Sequence, residues 1–264
     1  MLRLYRIEHG GASLYAAERE GRWRLVEGDV FGDFQEGPEI SSDGVRVLPP
    51  VTPSKIVCVG LNYKDHAAEQ KKPLPEEPLL FIKPSTAVIG PGAPIEVPEW
   101  AGRVDHEAEL GVVIGKRAFE VPLKRAYEHI LGLIAVNDVT ARELQNRDGQ
   151  YTRSKGFDTF APIGPCIAVG LEGRDLQVRG YVNGDLRQDS RTRELIFTIP
   201  ELVSFISSVM TLLPGDIIST GTPSGIGPIK PGDQVTIHVE GVGALTNPVM
   251  SRPRHSGATD RREG

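Results

Sequence analysis

Short apolar segments bounded by glycine and proline are the feature of this chain that most restricts its fold. The 264 residues include 30 glycines and 21 prolines. Typical apolar runs are Lys55–Gly60 and Leu79–Pro84, which end at a glycine and a proline. Because proline is excluded from helix interiors and glycine favours turns, such runs predict strands joined by turns. The sequence therefore predicts an α+β protein in which strands dominate.

Three segments are predicted along the chain. Residues 1–50 contain alternating apolar and polar residues between glycine-containing turns, which predicts a small N-terminal β domain. Residues 51–250 are numerous enough to bury a substantial core and are predicted to form the main domain. Residues 251–264 are basic and are predicted to form a flexible C-terminal tail.

Composition argues against several classes of protein. The formal net charge is −5 and no basic run precedes the tail, so no nucleic-acid surface is predicted. Since no apolar run approaches the length of a membrane span and the first residues do not resemble a signal peptide, we expect a cytoplasmic protein without a membrane partner. Cys58 and Cys166 lie far apart in apolar segments, which indicates buried, reduced thiols.

A pair of carboxylates at strand spacing, Glu107 and Glu109, lies in the largely apolar segment Val104–Ile114, which is predicted to be one strand. Glu107 and Glu109 are two residues apart, so a strand would direct both to one face with Cα atoms roughly 6–7 Å apart. Such a pair requires compensation, either by a cross-strand Lys or Arg or by a bound cation. Asp138 follows a second apolar run. Together the three carboxylates would offer oxygen ligands suited to Mg²⁺, Mn²⁺ or Ca²⁺.

Two pairs of polar residues occur at helical spacing. His66 and Glu69 are three residues apart in a segment of helical composition, for which Asn62 is the predicted N-cap. A carboxylate beside an imidazole is typical of a general base with its orienting partner. Arg142 and Gln145 have the same spacing, and a guanidinium there could bind a substrate carboxylate. For each pair, the alternative is a solvated helix face.

The remaining candidates lie in predicted loops. Lys155 belongs to a polar segment, 148–161, of the kind in which functional residues concentrate, and the alternative is a solvated lysine. Gly221–Gly227 lacks the Gly-Lys-Ser/Thr ending of a nucleotide-binding loop, although its Thr222 hydroxyl could approach a small anion. Lys71–Pro78 is rich in proline and is predicted to be a surface loop and a candidate lid.

Read in order, these segments resemble the fumarylacetoacetate hydrolase family. The resemblance covers about residues 51–249, whereas the first 50 residues match only loosely. The matching blocks are Val59–Glu69, Phe81–Pro84, Asp105–Leu110, Asn137–Gln145, Lys155–Phe160 and Gly221–Pro223. The resemblance implies a mixed β-roll that binds Mg²⁺ or Mn²⁺ and assembles as a homodimer.

The resemblance also implies a role for each candidate residue. The implied metal ligands are Glu107, Glu109 and Asp138, the implied catalytic residues are His66, Glu69 and Lys155, and the implied substrate contacts are Arg142, Gln145 and Thr222. In the larger hydrolases of the family a further aspartate joins the metal, and Asp65 is the candidate here. His106 is a candidate neighbour of the site.

The implied substrate is a 2-oxo or 2-hydroxy dicarboxylic acid. Such an acid would chelate the cation through its carboxylate and keto oxygens, and the cation would stabilise the enolate. His66 and Glu69 would move a proton or activate water, and Lys155, with a lowered pKa, would relay a proton or neutralise charge. We therefore expect an isomerase of 2-hydroxyhepta-2,4-diene-1,7-dioate in aromatic catabolism, with the related decarboxylation. The alternatives are acylpyruvate hydrolysis, oxaloacetate decarboxylation, and a non-catalytic Ca²⁺-binding domain.

Overall fold

The computed structural model describes residues 1–252, which form twenty strands, four α-helices and four 3₁₀ helices. The strands are β1 (Leu2–His9), β2 (Ala12–Arg19), β3 (Arg22–Gly28), β4 (Phe34–Ile40), β5 (Arg46–Val47), β6 (Lys55–Gly60), β7 (Leu79–Pro84), β8 (Val88–Ile89), β9 (Ile95–Pro98), β10 (Val104–His106), β11 (Ala108–Ile114), β12 (Ile130–Asn137), β13 (Thr140–Ala141), β14 (Ala161–Val169), β15 (Gln177–Val182), β16 (Asp185–Arg191), β17 (Ile217–Ser219), β18 (Gly227–Ile229), β19 (Gln234–Val239) and β20 (Gly243–Arg252). The α-helices are α1 (Lys64–Glu69), α2 (Arg142–Asp148), α3 (Thr152–Lys155) and α4 (Ile199–Val209). The 3₁₀ helices are Ser85–Ala87, Glu99–Ala101, Leu123–His129 and Thr192–Glu194.

Most strands belong to one large mixed sheet. Its central order is β4-β3-β2-β1-β14-β12-β11-β17-β6-β7, with β5 paired to β1 and β8 paired to β14. Most pairs are antiparallel, but β17 runs parallel to β6 and β14 runs parallel to β8. A five-stranded sheet, β16-β15-β19-β20-β9, packs against it, and β13-β10-β18 form a third sheet. The predicted α+β fold with mixed sheets is confirmed.

The ends of the chain continue these sheets. β1 pairs with β14 from Leu2 opposite Val169 to Leu4 opposite Ile167, so residues 1–50 extend the large sheet and pack on its core. At the other end, β20 pairs with β9 as far as Arg252, two residues into the predicted tail. The rest of that tail, residues 253–264, lies outside the described residues.

The apolar core lies on both faces of the central strands. Every residue of β11 is buried. Leu110 and Val112 pack toward the five-stranded sheet and α4, whereas Val113 packs with the opposite cluster. Burial on both faces explains why the residues of this strand other than Glu109 are apolar or glycine instead of alternating with polar residues. Cys58 and Cys166 are free and buried, as predicted.

Local turn and cap signals are reproduced in the fold. Asn183 and Gly184 join β15 to β16 with φ angles of 54° and 86°, as a type I′ hairpin requires. α4 begins after Thr198, whose backbone N–H donates to Glu201 in a capping box. Leu123–His129 forms a 3₁₀ helix. Within residues 1–252, no helix is long and apolar enough to cross a membrane.

Asn62 is not the N-cap of α1, contrary to prediction. Its amide nitrogen donates to Thr220 O at 2.7 Å and to Phe197 O at 3.1 Å, and its amide oxygen accepts from Phe197 N at 2.8 Å. Tyr63 occupies the cap position without a side-chain bond. Asn62 is fully buried, so its amide satisfies the buried backbone of two distant segments instead of the helix start.

Candidate active site

The predicted strand 104–114 is interrupted at Glu107, where the chain changes sheet. β10 pairs with β13 and β18, whereas β11 pairs with β12 and β17. Glu107 N donates to the Asn137 side chain at 3.0 Å, and Glu107 O accepts from Asp138 N at 2.9 Å. The prediction of one continuous strand is therefore wrong, because the two halves pair with different neighbours. The break holds Glu107 directly beside Asp138.

Three buried carboxylates meet at this point. One oxygen from each of Glu107, Glu109 and Asp138 lies within 4.8 Å of the others. The three residues are 5%, 2% and 1% exposed. Since charged carboxylates are rarely buried without compensation, the cluster requires positive charge close by.

Lys155 supplies part of that charge. Its ammonium donates to Glu107 Oε2 at 2.7 Å and to Asp138 Oδ2 at 2.5 Å. The residue ends the short helix α3 and is 3% exposed, so both the predicted loop and the alternative of a solvated lysine are wrong. The Phe81 ring lies 5.0 Å from the same ammonium. Tertiary packing of α3 against β7 and β13 buries this lysine, and local polarity gave no indication of it.

Two charged residues in this cluster were not among the predicted site residues. Lys83, in β7, is fully buried and donates to Asp138 Oδ1 at 2.5 Å and to Val139 O at 3.0 Å. Asp105, in β10, is also fully buried and accepts from Arg103 at 2.7 Å and from Arg142 Nε at 2.9 Å. For Lys83 the available signal was a single charge within an otherwise apolar strand, and for Asp105 it was a third carboxylate close to Glu107 and Glu109 in one segment.

The surroundings shift the pKa values of the clustered groups in different directions. Burial raises the pKa of Glu107, but the charges of Lys155 and Arg142 outweigh burial and lower it to about 2. Burial and the charge of Asp138 raise the pKa of Glu109 to about 8, against the hydrogen bond from Ser219.

The pKa of Lys155 shifts in the opposite direction to the one expected. Burial lowers its pKa, but the charges of Asp138 and Glu107 raise it above its ordinary value. The prediction of a lowered pKa is therefore wrong, because two carboxylates in direct contact stabilise the ammonium more than burial destabilises it.

The cluster fits a divalent cation by its donor chemistry. Among residues 1–252, Glu109 forms no ion pair; its Oε2 accepts from Ser219 Oγ at 2.5 Å and from Gly221 N at 2.9 Å. Buried carboxylate oxygens converging on one point are the donors that Mg²⁺ and Mn²⁺ prefer. Glu107, Glu109 and Asp138 are the residues that would hold such an ion.

Neither additional candidate belongs to this cluster. Asp65 accepts from the backbone N–H of His66 at 2.6 Å and from Ser190 Oγ at 2.7 Å, which anchors the start of α1. His106 Nδ1 lies 3.1 Å from the amide oxygen of Gln188, and burial lowers the pKa of this imidazole. Both side chains therefore form hydrogen bonds that hold the surrounding segments in place.

The His66–Glu69 pair forms on α1 as the spacing predicted. Glu69 Oε2 lies 2.9 Å from His66 Nδ1, and Glu69 Oε1 accepts from Gly225 N at 3.1 Å. Gln70, which was not predicted, places its amide nitrogen 2.6 Å from His66 Nε2. The imidazole is therefore held at both nitrogens.

Arg142, Gln145 and Thr222 make contacts within the protein. Arg142 donates to Asp105, to Glu107, and to Gln145 Oε1 at 2.5 Å. The Thr222 hydroxyl donates to the carbonyl of Ala108 at 3.0 Å and accepts from Gln188 at 2.8 Å. These bonds fix all three side chains at the wall of the site.

One cavity unites the predicted residues. It has a volume of about 650 Å³ and is lined by His66, Glu107, Glu109, Asp138, Arg142, Gln145, Lys155 and Thr222. Glu69 does not line the cavity but contacts the imidazole of His66. A concave site in which a histidine, a lysine and a carboxylate cluster converge can hold a cation and move a proton.

Fold and site together define the class of protein. Residues 55–250 match the sequence profile described as Fumarylacetoacetate (FAA) hydrolase C-terminal. The chain belongs to this family and is one of its enzymes. The alternative of a non-catalytic Ca²⁺-binding domain is therefore overturned.

Individual relatives carry more specific names. A structure named 2-hydroxyhepta-2,4-diene-1,7-dioate isomerase, from Mycobacterium marinum, is 42% identical, with a TM-score of 0.90, and the match covers 96% of this chain and all of that one. A structure named 5-carboxymethyl-2-hydroxymuconate delta-isomerase, from Mycobacterium smegmatis, is 46% identical, with a TM-score of 0.89 and coverage of 95% and 100%. A Xenopus laevis protein named as a mitochondrial oxaloacetate tautomerase is 39% identical over 80% of this chain and 70% of its own length.

Proposed function

We propose that this chain is a divalent-metal-dependent isomerase of 2-hydroxyhepta-2,4-diene-1,7-dioate or a similar 2-hydroxy dienoic acid. The observation that carries the proposal is the convergence of His66 with the carboxylate cluster in one cavity. The names of two similar structures support it, since each is named as an isomerase of such an acid.

The proton transfer is assigned to His66. Glu69 holds Nδ1, so Nε2 is the nitrogen that takes a proton from one substrate atom and returns it to another. A divalent cation held by Glu107, Glu109 and Asp138 would supply positive charge to stabilise negative charge that develops on the substrate. Lys155, with its raised pKa, stays protonated and adds fixed positive charge rather than accepting a proton.

Oxaloacetate tautomerisation is a second candidate function. The relative from Xenopus laevis is named for this reaction, and so is a Bos taurus protein that is 41% identical. Tautomerisation also moves one proton between two atoms of a 2-oxo acid, so His66 would have the same role. Decarboxylation and acylpyruvate hydrolysis share the activated substrate and differ in the bond that breaks.

A substrate panel distinguishes these reactions. Purified protein is assayed on the dienedioate, an acylpyruvate and oxaloacetate, each with Mg²⁺, with Mn²⁺ and with a chelator. We expect isomerisation of the dienedioate that is lost on chelation and in the His66→Ala variant. Turnover confined to oxaloacetate would move the assignment to the second candidate, and activity that survives chelation would contradict the metal dependence.

A further inference from the structure

The two hydrogen bonds on His66 determine which nitrogen carries its proton. An ionised carboxylate accepts only, so the Nδ1 facing Glu69 at 2.9 Å is the protonated nitrogen. Nε2 is then a lone-pair acceptor, and the Gln70 amide at 2.6 Å donates to it. His66 and Gln70 both line the cavity, whereas Glu69 does not. Gln70 thus occupies the lone pair on the side that faces the substrate.

The proposed proton transfer needs this same lone pair. A substrate proton reaches Nε2 only when the amide of Gln70 withdraws. Once Nε2 is protonated it becomes a donor, and the amide NH₂ would oppose it. A carboxamide resolves this conflict, because its last torsion is broad and roughly two-fold, and a half-turn presents the carbonyl oxygen instead.

The backbone around this pair is anchored, which leaves the Gln70 side chain as the adjustable part. Gln70 N donates to His66 O at 3.0 Å. At the other end of the helix, His66 N donates to Asp65, whose carboxylate also accepts from Ser190 at 2.7 Å. The four-residue spacing between His66 and Gln70 places the two side chains on one face.

We propose that Gln70 is a positioning residue for His66. It donates to Nε2 while the imidazole is neutral and accepts from Nε2–H after proton transfer. The proton leaves one substrate atom, resides on Nε2 and returns to another substrate atom, so no further reactant is required. The catalytic part of this inference rests on the proposed function, whereas the hydrogen bond itself does not.

The test compares three variants with the wild type. Gln70→Met has a similar length but no hydrogen-bonding group, and Gln70→Glu has a similar shape but only accepts. Lys64→Met, an exposed position on the same helix, is the matched control. Thermal unfolding verifies that all three fold.

The first measurement is ¹⁵N NMR of the His66 imidazole. In the wild type we expect protonated Nδ1 and a hydrogen-bonded, unprotonated Nε2. In Gln70→Met the Nε2 resonance should move downfield because its donor is lost, and in Lys64→Met it should not move. An Nε2 resonance that is the same in Gln70→Met and the wild type would overturn the inference.

The second measurement is the separation of kcat from KM. Gln70→Met should lower kcat roughly five- to tenfold, with KM little changed, because the carbonyl oxygen that accepts from protonated Nε2 is lost. Gln70→Glu should lower kcat on the order of a hundredfold or more, because a carboxylate holds the proton on Nε2 and removes the general base. A Gln70→Glu variant as active as the wild type would overturn the inference.

The outcomes separate this inference from the proposed function. An active wild type whose Nε2 resonance is unchanged in Gln70→Met contradicts the role of Gln70 alone. A wild type that turns over no member of the substrate panel contradicts the proposed function, and with it the catalytic role of Gln70.

Discussion

The three clustered carboxylates differ in the positive charge that each one contacts. Glu107 contacts Lys155 and Arg142, and Asp138 contacts Lys155 and Lys83. Glu109 contacts a hydroxyl and a backbone N–H. Of the three carboxylates, Glu109 therefore has the least positive charge in contact with it, and a bound cation would stabilise its negative charge most strongly.

Metal affinity should depend on pH through Glu109. With a pKa of about 8, this carboxyl carries a proton at neutral pH that a divalent cation must displace. Affinity should therefore rise by about tenfold per unit as the pH rises toward 8, and then level off. Calorimetric titration with Mg²⁺ or Mn²⁺ in buffers of different ionisation enthalpy measures the released proton. Binding at pH 7 without proton release would contradict this expectation, and Glu109→Gln is the control that cannot release one.

At the scale of elements, two Pro-Gly-Asp turns of identical sequence each precede a strand, but their aspartates bind different partners. Asp216, before β17, accepts from Ser54 N at 3.0 Å, from Leu213 N at 2.9 Å and from the Lys55 ammonium at 2.5 Å. Asp233, before β19, accepts from Lys230 N and from the Asn183 amide, each at 2.9 Å. Asp216 therefore links the start of β17 to the start of β6, whereas Asp233 links its own turn to the turn of the β15–β16 hairpin.

Substituting Asp216, in the first turn, should destabilise the protein more than substituting Asp233, in the second. Asp216→Asn turns an amide NH₂ toward the Lys55 ammonium and Leu213 N–H, which should cost about 3 kcal/mol of unfolding free energy. Asp233→Asn, the matched control, loses only neutral partners and should cost about 1 kcal/mol. Urea unfolding measures both values, and equal losses would contradict the different roles of the two turns.

The effect of Asp216 should also depend on pH. Burial raises the pKa of this carboxyl, but hydrogen bonds from Lys55 and Ser54 outweigh burial and hold it below its ordinary value. Its stabilising contribution is therefore present above the unfolded-state pKa of roughly 3.9, and is lost as the pH falls through the lower folded-state value. The difference in unfolding free energy between the wild type and Asp216→Asn, measured by urea unfolding at each pH, should become smaller in acid and stay constant from pH 5 to 7.

At the scale of the whole molecule, we expect a homodimer. β7 is the last strand of the large sheet, and it exposes Leu79 and Ile82 by 51% and 42%. An exposed apolar edge strand favours association. Light scattering should give twice the 28.7 kDa of one chain. Ile82→Glu should shift the mass toward the monomer, whereas Leu123→Glu, an exposed apolar position on the 3₁₀ helix Leu123–His129 and not on a sheet edge, should leave it unchanged.

The local chemistry of the chain was sufficient to predict many features. Apolar runs with glycine and proline predicted the strands, and two further local signals, the pair Asn183-Gly184 and Thr198 followed by Pro200, coincide with the β15–β16 hairpin and the start of α4. The His66–Glu69 contact followed from helical spacing. Each depends on residues within a few positions of one another, where backbone geometry limits the outcome. Gln70, four residues from His66, could have been found in the same way.

Contacts between distant segments were decided by the tertiary structure. Lys155 lies 48 residues from Glu107, and Lys83 lies 55 residues from Asp138, yet each pair is in direct contact. The polar segment around Lys155 resembled a solvated loop, and only packing of α3 against β7 and β13 buries it. Sequence determined which groups could carry charge and where turns fall. The sheet pairing determined which charges meet away from water, because burial and the pKa values that follow from it depend on the whole surrounding structure.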